Sequence, residues 1–391
     1  MSKRVSLRDV ASQINYGLTT SATDTKDGPK FLRITDIDKS FIEWESVPHC
    51  DATEEQRGKY ALQSEDIVVA RTGASTGRAQ WVQVEAPTVF ASYLVRFRIS
   101  SEYDSRFIGY VLNSRTWKHY VDSVAHGKSA QPNMSASLMA DFEFDCPPLS
   151  EQRAIAEVLG ALDDKIAANS MKASTAEQLA GVLFDKVSVD LNKIPVSQVL
   201  TPILGGTPNR KNPEFWGGQV HWASAKDVTS APHSVVADTE EKITRMATEQ
   251  TKAKPLPIGG VIVTARGTVG AVARLALPTS FNQSCYGFSP SELPPGLLYF
   301  SILRAAQRAK SLSHGSVFDT ITMKTFDHLF IPDFGESAEK MEHQIAPLLE
   351  TVDSSIKENK TLVSMRDALL PQLMSGKIRV REAEAVVEDV L

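Results

Sequence analysis

Cysteine, clustered histidine, long apolar runs and surplus positive charge are all scarce in this chain, and each shortage removes a class of function. Cys50, Cys146 and Cys285 are the only cysteines in 391 residues. Isolated and odd in number, they suggest neither a disulfide framework nor a CxxC metal site, and are expected as small buried residues. The eight histidines and three cysteines form no ligand cluster, so no metal site is expected. No apolar stretch approaches the ~20 residues that cross a bilayer, and the opening MSKRVSLRDV lacks the apolar core of a secretion signal. A cytoplasmic protein without a membrane partner is the expectation.

Catalytic devices are missing as well. "GASTGR" (Gly73–Arg78) lacks the GK[ST] ending of a phosphate-binding loop. "DCPPL" (Asp145–Leu149) has an inserted Cys, no following aromatic and no Gly-rich loop upstream, unlike the Asp/Asn-Pro-Pro-aromatic motif of adenine methyltransferases. Its prolines are better explained as a break ahead of a helix. Glu339 and Lys340 in "PDFGESAEK" are adjacent, which is no nuclease spacing. His126 and His314 each precede a Gly, but no acid or nucleophile recurs beside them, so they read as turn residues rather than general bases.

What is present is ordinary globular composition, 42% hydrophobic and 23% charged, in a chain with room for about two or three domains. The net charge of −5 argues against nucleic acid as a whole, but it is unevenly placed. Residues 1–148 carry −2, 149–192 carry −3, 193–335 carry +4 and 336–391 carry −4. Local charge, not the total, steers a phosphate backbone.

The chain repeats itself. "EDIVVARTGASTGRAQWV" (Glu65–Val82) and "GGVIVTARGTVGAVARL" (Gly259–Leu275) are each an apolar β-branched run, an Arg, a Gly-rich polar turn and a second apolar run. Matching Arg71 to Arg266 gives an offset of 195 residues. "FASYLVRFRIS" answers "FNQSCYGFSPS", "FIGYVLNS" answers "LLYFSILR", and "AIAEVLGALDDKIAAN" answers "QIAPLLETVDSSIKEN" at an offset of 190. Each half therefore reads as a variable α/β part followed by a long helix.

The helices show a seam of apolar positions in alternating steps of four and three. The first runs Ile155, Leu159, Leu162, Ile166, Asn169, Ala173, Ala176, Ala180, Leu183. The second runs Ile345, Leu349, Val352, Ile356, Asn359, Val363, Arg366, Leu370, Leu373. Ser150 is the expected N-cap of the first, Gly376 the C-cap of the second, and Pro371 should kink or end its last turn. The shared register favours two antiparallel helices packed on each other, with Asn169 and Asn359 meeting near their midpoints. The alternative is that each packs on its own domain.

The fold class expected is α/β (α+β): two similar domains, each with a twisted, mainly antiparallel sheet, separated by two long helices forming an antiparallel coiled coil with pseudo-twofold symmetry. "FLRITDID" and "QVHWASAKDVTS" read as strands ending in polar turns. The domains fall at 1–148, 149–192, 193–335 and 336–391.

Arg offers paired donors to guanine or phosphate, Gln and Asn pair with adenine edges, and hydroxyls reach either. On that chemistry the candidate DNA contacts are Arg71, Thr72, Ser75, Thr76 and Arg78 in the first turn, with Lys128, Ser129, Gln131 and Asn133 in "HGKSAQPN". In the second half they are Asn209, Arg210, Lys211, Lys226, Arg266, Thr268, Asn282, Gln283 and Lys324. Any one turn could equally be a solvated hairpin end; its recurrence in both halves favours a two-part ligand. A two-headed protein- or glycan-binding scaffold, and an unrecognised hydrolase or transferase, remain as alternatives.

On "FDCPPLSEQRAIAEVLGALDDKI", "GGTPNRKNPEFWGGQVHW", "EDIVVARTGASTGR" and "LLPQLMSGKIRV", spread over both halves, the chain resembles the DNA specificity subunit of type I restriction–modification enzymes. The second half departs from the pattern in "IPDFGESAEKMEHQ", which lacks the double proline. The resemblance implies two target-recognition domains that each read half of a split double-stranded DNA sequence. It implies helices that act as spacer and as docking surface for two methyltransferase subunits. S-adenosylmethionine would belong to those subunits, and ATP, Mg and cleavage to a separate motor/nuclease subunit, with no cofactor in this chain.

Overall fold

The computed structural model describes residues 2–37, 41–125, 132–312 and 320–390. They form two compact units, one of residues 1–167 with 361–391 and one of 168–360. The architecture is mixed α/β, with small sheets and two long helices.

In the first unit the strand Ile67–Ala70 is buried at all four positions, as its β-branched run dictates. It pairs antiparallel with Ala79–Trp81 on one side and Leu94–Ile99 on the other, and Ala11–Tyr16 lies beyond Leu94–Ile99. A second sheet sets Lys30–Leu32 parallel to Thr88–Phe90. Lys3–Ser6 pairs antiparallel with Glu143–Cys146.

In the second unit Val261–Thr264, also fully buried, lies between Val272–Leu275 and Cys285–Phe288, with Ile203–Leu204 at the edge. Trp216–Ala223 runs parallel to Thr279–Phe281, and Lys193–Pro195 pairs antiparallel with Phe330–Pro332. Antiparallel pairing thus dominates, but each unit divides its strands among several small sheets rather than one.

The expected polar turns after two strands are short helices instead. Ser224 and Asp227 form a reciprocal capping box that starts Ala225–Thr229. Asp36 accepts from both the amide and the guanidinium of Arg33, holding the turn Ile34–Ile37.

The long helices are Leu149–Ser188 and Ala338–Met374. Ser150 lies inside the first turn and is not its N-cap. The Pro148 carbonyl accepts from the amides of both Glu151 and Gln152, which sets the start two residues earlier, at Leu149. The second helix begins at Ala338, after a short 3-10 turn that contains Ser337. It continues through Pro371 and ends three residues later. The bond that proline cannot make is to the carbonyl of Asp367, an exposed residue that water can serve. Gly376 then takes a left-handed φ of 67° and its amide donates to the Leu373 carbonyl, closing the C-terminus.

Most seam residues are buried, with Ile356 and Asn359 half-buried, and they serve two packings. In the first unit Ile155, Leu159, Leu162 and Ile166 share a core with Phe107 and Ile108 of the domain and with Leu362, Leu369, Leu370 and Leu373 of the other long helix. In the second, Ile345 and Leu349 pack with Ala180, Phe184, Leu297 and Phe300, while Ala173 and Ala176 meet Val352 and Ile356. Each fully buried Leu or Phe contributes about 1.5–3 kcal/mol. Leu183, Val363 and Arg366 fall off the buried line, which passes to Phe184, Leu362 and Leu369. A straight helix drifts ~20° per heptad from a 3.5-residue repeat. Asn169 is buried, and Asn359 Nδ2 donates to Oγ of its neighbour Ser170 at 3.0 Å.

A last helix, Val380–Glu388, adds Ala383 and Val387 to the first unit's core. No described helix is long and apolar enough to cross a membrane.

Candidate nucleic-acid interface

The first turn, between Ala70 and Ala79, is built by glycine and closed by the backbone. Gly73 and Gly77 take φ of 77° and 86°, a region where an L side chain is strained. A Cβ at Gly77 would also stand 2.6 Å from Val121 Cγ2. The Gly77 amide donates to the Ala70 carbonyl at 2.8 Å and the Ala70 amide to the Arg78 carbonyl at 2.9 Å. Two other segments hold Arg71: its amide donates to the Tyr93 carbonyl at 2.9 Å, and its carbonyl accepts from Met134 at 2.8 Å. Thr72 and Asn133 form an isolated antiparallel bridge.

This frame presents a fixed guanidinium. Arg71 stacks on the Tyr16 ring at 4.8 Å and donates from Nη2 to Asn133 Oδ1 at 3.4 Å, while its Nε is buried without a hydrogen-bond partner. Tyr16 is held in turn, its hydroxyl accepting from the Ala136 amide at 2.9 Å. Thr76 turns inward, Oγ1 donating to the Gly73 carbonyl, whereas Thr72 and Ser75 are half-buried at the rim. Arg78 is exposed but its Nε donates to the Ile37 carbonyl, so part of its capacity braces the neighbouring turn. Lys128, Ser129 and Gln131, with His126 and His314, lie outside the described residues.

The second turn uses the same frame, shifted by one residue from the sequence match. The Gly270 amide donates to the Thr264 carbonyl at 2.8 Å and the Thr264 amide to the Ala271 carbonyl at 2.9 Å. The Ala265 amide donates to the Ser284 carbonyl and its carbonyl accepts from Ile321. Ala265, not Arg266, therefore occupies the position of Arg71, and Arg266 that of Thr72. Arg266 is exposed and makes no hydrogen bond or ion pair among the described residues.

Around it, Thr268 and Gln283 are exposed and Asn282 is half-buried. Asn282 Oδ1 accepts from the Ser284 amide, and Gln283 accepts from the Thr207 hydroxyl. Lys211 and Lys324 are exposed without a side-chain partner among the described residues. Asn209 Oδ1 accepts from the Lys211 amide, shaping that turn. Lys226 pairs with Glu240 at 3.0 Å, which raises its pKa.

Arg210 is spoken for. Both its terminal nitrogens reach Glu241, and its guanidinium stacks 3.9 Å over the Trp216 ring and 5.1 Å over Trp222. The hydrogen bond from Arg210 holds the Glu241 carboxyl below its ordinary value.

Sequence reasoning missed the aromatic flank of the first turn. Tyr93 is 60% exposed and Tyr16 41%; the Tyr16 ring lies under Arg71, and the Tyr93 carbonyl accepts from the Arg71 amide. An aromatic inside the polar turn "FASYL" was the available signal, since such a ring offers a stacking face with a polar tip. The described residues contain no group of three or more His, Cys, Asp or Glu placed to hold a metal.

A family model described as the type I restriction modification DNA specificity domain matches the chain twice, over residues 2–178 and 189–363. The type I restriction enzyme MjaIX specificity subunit of Methanocaldococcus jannaschii is 27% identical over 181 residues, 44% of this chain and 41% of that protein. The chain thus spans less than half of that relative. The HindI specificity subunit of Haemophilus influenzae is 20% identical over 84% of this chain and 91% of its own. Among solved structures, the S subunit of a type I restriction–modification system from M. genitalium superposes with a TM-score of 0.56 at 14% identity, covering 95% of this chain and 96% of that one. At that identity the likeness speaks for the fold alone.

Proposed function

Because the chain belongs to the family of type I restriction–modification DNA specificity subunits, we propose that it reads a split double-stranded DNA target, one half-site per unit. Residues 1–148 and 193–335 are the two target-recognition domains, and 149–192 and 336–391 supply the spacer helices. The observation that carries this reading is the turn frame found twice, each time setting an arginine and a threonine beside further polar turns. Arg71, Thr72, Ser75 and Asn133 face one half-site; Arg266, Thr268, Gln283, Lys211 and Lys324 face the other. Phosphate contacts supply affinity, and base-edge contacts supply sequence.

The chain directs rather than catalyses. Two methyltransferase subunits bring S-adenosylmethionine and methylate adenine, and a motor/nuclease subunit with ATP and Mg cuts unmethylated DNA, all in the cytoplasm. The helices pack as an antiparallel coiled coil about a pseudo-dyad. Two contacts support this. Asp163 pairs with Arg366 in the first unit and Ser170 with Asn359 in the second. The number rises by seven on one helix as it falls by seven on the other, the mark of antiparallel neighbours. Buried Asn169, and half-buried Asn359 through its bond to Ser170, fix this register at some cost in stability.

Helix length is then the ruler for the gap between half-sites. Four residues added to both helices, between Ala173 and Ala180 and at the matching point after Val363, lengthen each by ~6 Å. That corresponds to about two base pairs. Sequencing the methylome of cells that carry the variant should show unchanged half-site bases and a longer gap. An unchanged gap, or changed bases, removes the helices as the ruler.

A further inference from the structure

In each unit an arginine ties the hairpin that carries the turn to a long helix, and the two ties follow one plan. Arg274, in the strand Val272–Leu275, lies opposite Val261 and is 6% exposed. Its Nη2 donates to the Leu349 carbonyl at 3.2 Å. Its Nη1 is 2.5 Å from Asp353 Oδ1, an ion pair off the hydrogen-bond line. Leu349 and Asp353 are four residues apart, hence on one face of the helix.

The corresponding strand position in the first unit, opposite Ile67, is Trp81. It carries no charge, but Arg106 stacks on its ring at 5.0 Å and its Nε1 donates to Ser105 Oγ at 3.0 Å. Arg106 then makes the same grip, Nη2 donating to the Gly160 carbonyl at 3.0 Å and to Asp164 Oδ1 at 2.6 Å. These acceptors are again four residues apart. A Cβ at Gly160 would stand 2.6 Å from Arg106 Cζ, so the grip needs glycine there.

Apolar packing alone lets a hairpin slide and rotate on a helix, because the hydrophobic effect is non-directional. A guanidinium that holds a carbonyl and a carboxylate one turn apart admits a single height and rotation. Partly buried ion pairs add little net stability, and their best-attested use is registry.

We propose that Arg274 with Asp353, and Trp81 and Arg106 with Asp164, are positioning residues that fix each reading turn on its long helix and thereby the half-site gap the protein accepts. This rests on the split-target reading above. The test uses the full chain assembled with its methyltransferase subunits. Wild type, Arg274→Met, Arg274→Lys and Gly160→Ala are titrated against duplexes with the native gap and gaps one base pair shorter or longer. Hydrogen exchange of 261–275 and 67–81 is followed without DNA.

Arg274→Met should cut the preference for the native gap by about three- to tenfold, leave the half-site bases unchanged and speed exchange in 261–275. Arg274→Lys should restore part of the preference, and Gly160→Ala should act alike through 67–81. A purely structural role would lower the binding-competent fraction while leaving the gap ratio unchanged, and that result overturns the proposal. If wild type itself shows no two-part specificity, the split-target reading fails first. The exchange data then judge the tie alone, and unaltered protection in both variants refutes it.

Discussion

The two turns share a backbone frame and differ in what they do with arginine. In the first unit Arg71 sits on the frame itself, stacked on Tyr16 and bonded to Asn133. In the second unit Ala265 takes that position, and Arg266, one residue further on, extends into solvent. A held guanidinium loses little freedom on binding and is selective for one geometry, whereas a free one adapts and gives up more entropy. On the proposed reading one frame thus yields a rigid reader and an adaptable one, and each difference between them can be attacked separately.

The largest effect is expected from glycine. Gly77→Val combines a φ of 86° with a Cβ 2.6 Å from Val121 and should destabilise the first unit by about 3 kcal/mol or more. Gly267→Ala, at φ 77° with open space around its Cβ, should cost only about 1 kcal/mol. Denaturant unfolding of the two variants side by side measures the contrast; equal losses would remove the distinction between a packed turn and an open one.

Arginine comes next. Arg71→Ala should cost roughly 1–3 kcal/mol at the first half-site, and Arg71→Lys nearly as much, because lysine keeps neither the planar stack nor the paired donors. Arg266→Lys should stay within about threefold of wild type if that residue meets phosphate, and Arg266→Ala should lower the salt slope by about one. Titrations at two salt concentrations separate these cases, and full rescue by Arg71→Lys would contradict a held guanidinium. Tyr16→Leu, which removes the stack together with the hydroxyl that accepts from Ala136, should weaken the first half-site by about 0.5–1 kcal/mol more than Tyr16→Phe, which keeps the ring.

The smallest effect is electrostatic. Arg210 depresses the pKa of Glu241 below its ordinary 4.5. The pair's contribution is therefore fully present above that value and fades as pH falls through the lower folded value. Fluorescence of Trp216 and Trp222 should change in that acid range, and Arg210→Met should abolish the change. A transition that persists in the variant would assign it to another group.

Much of the architecture was legible in sequence. Four β-branched or small residues before a Gly-rich turn can form little but a buried hairpin strand, and a four-three apolar rhythm over nine positions specifies a long packed helix. The frame shift was not legible. The two turns differ in length, so aligning Arg71 with Arg266 by identity gave the wrong equivalence, which only the bonds to Tyr93 and Ser284 correct. Arg210 looked available because Glu241 lies 31 residues away and Trp216, six residues on in the same motif, was given no stacking role. The return of residues 361–390 to the first unit is likewise a long-range packing event with no local mark. Asp163 and Asp353 were visible as motif residues, but their arginine partners, 203 residues away and in a distant strand, were not.

The central claim is that each turn reads one half of a split target. The most direct test is selection of bound duplexes from a random DNA pool by the full chain with its methyltransferase subunits, for wild type, Arg71→Ala and Arg266→Ala. The account predicts a two-part motif with a fixed gap, relaxed on one side by the first substitution and weakened on the opposite side alone by the second. A single uninterrupted motif, or equal disturbance of both sides by either substitution, would contradict it.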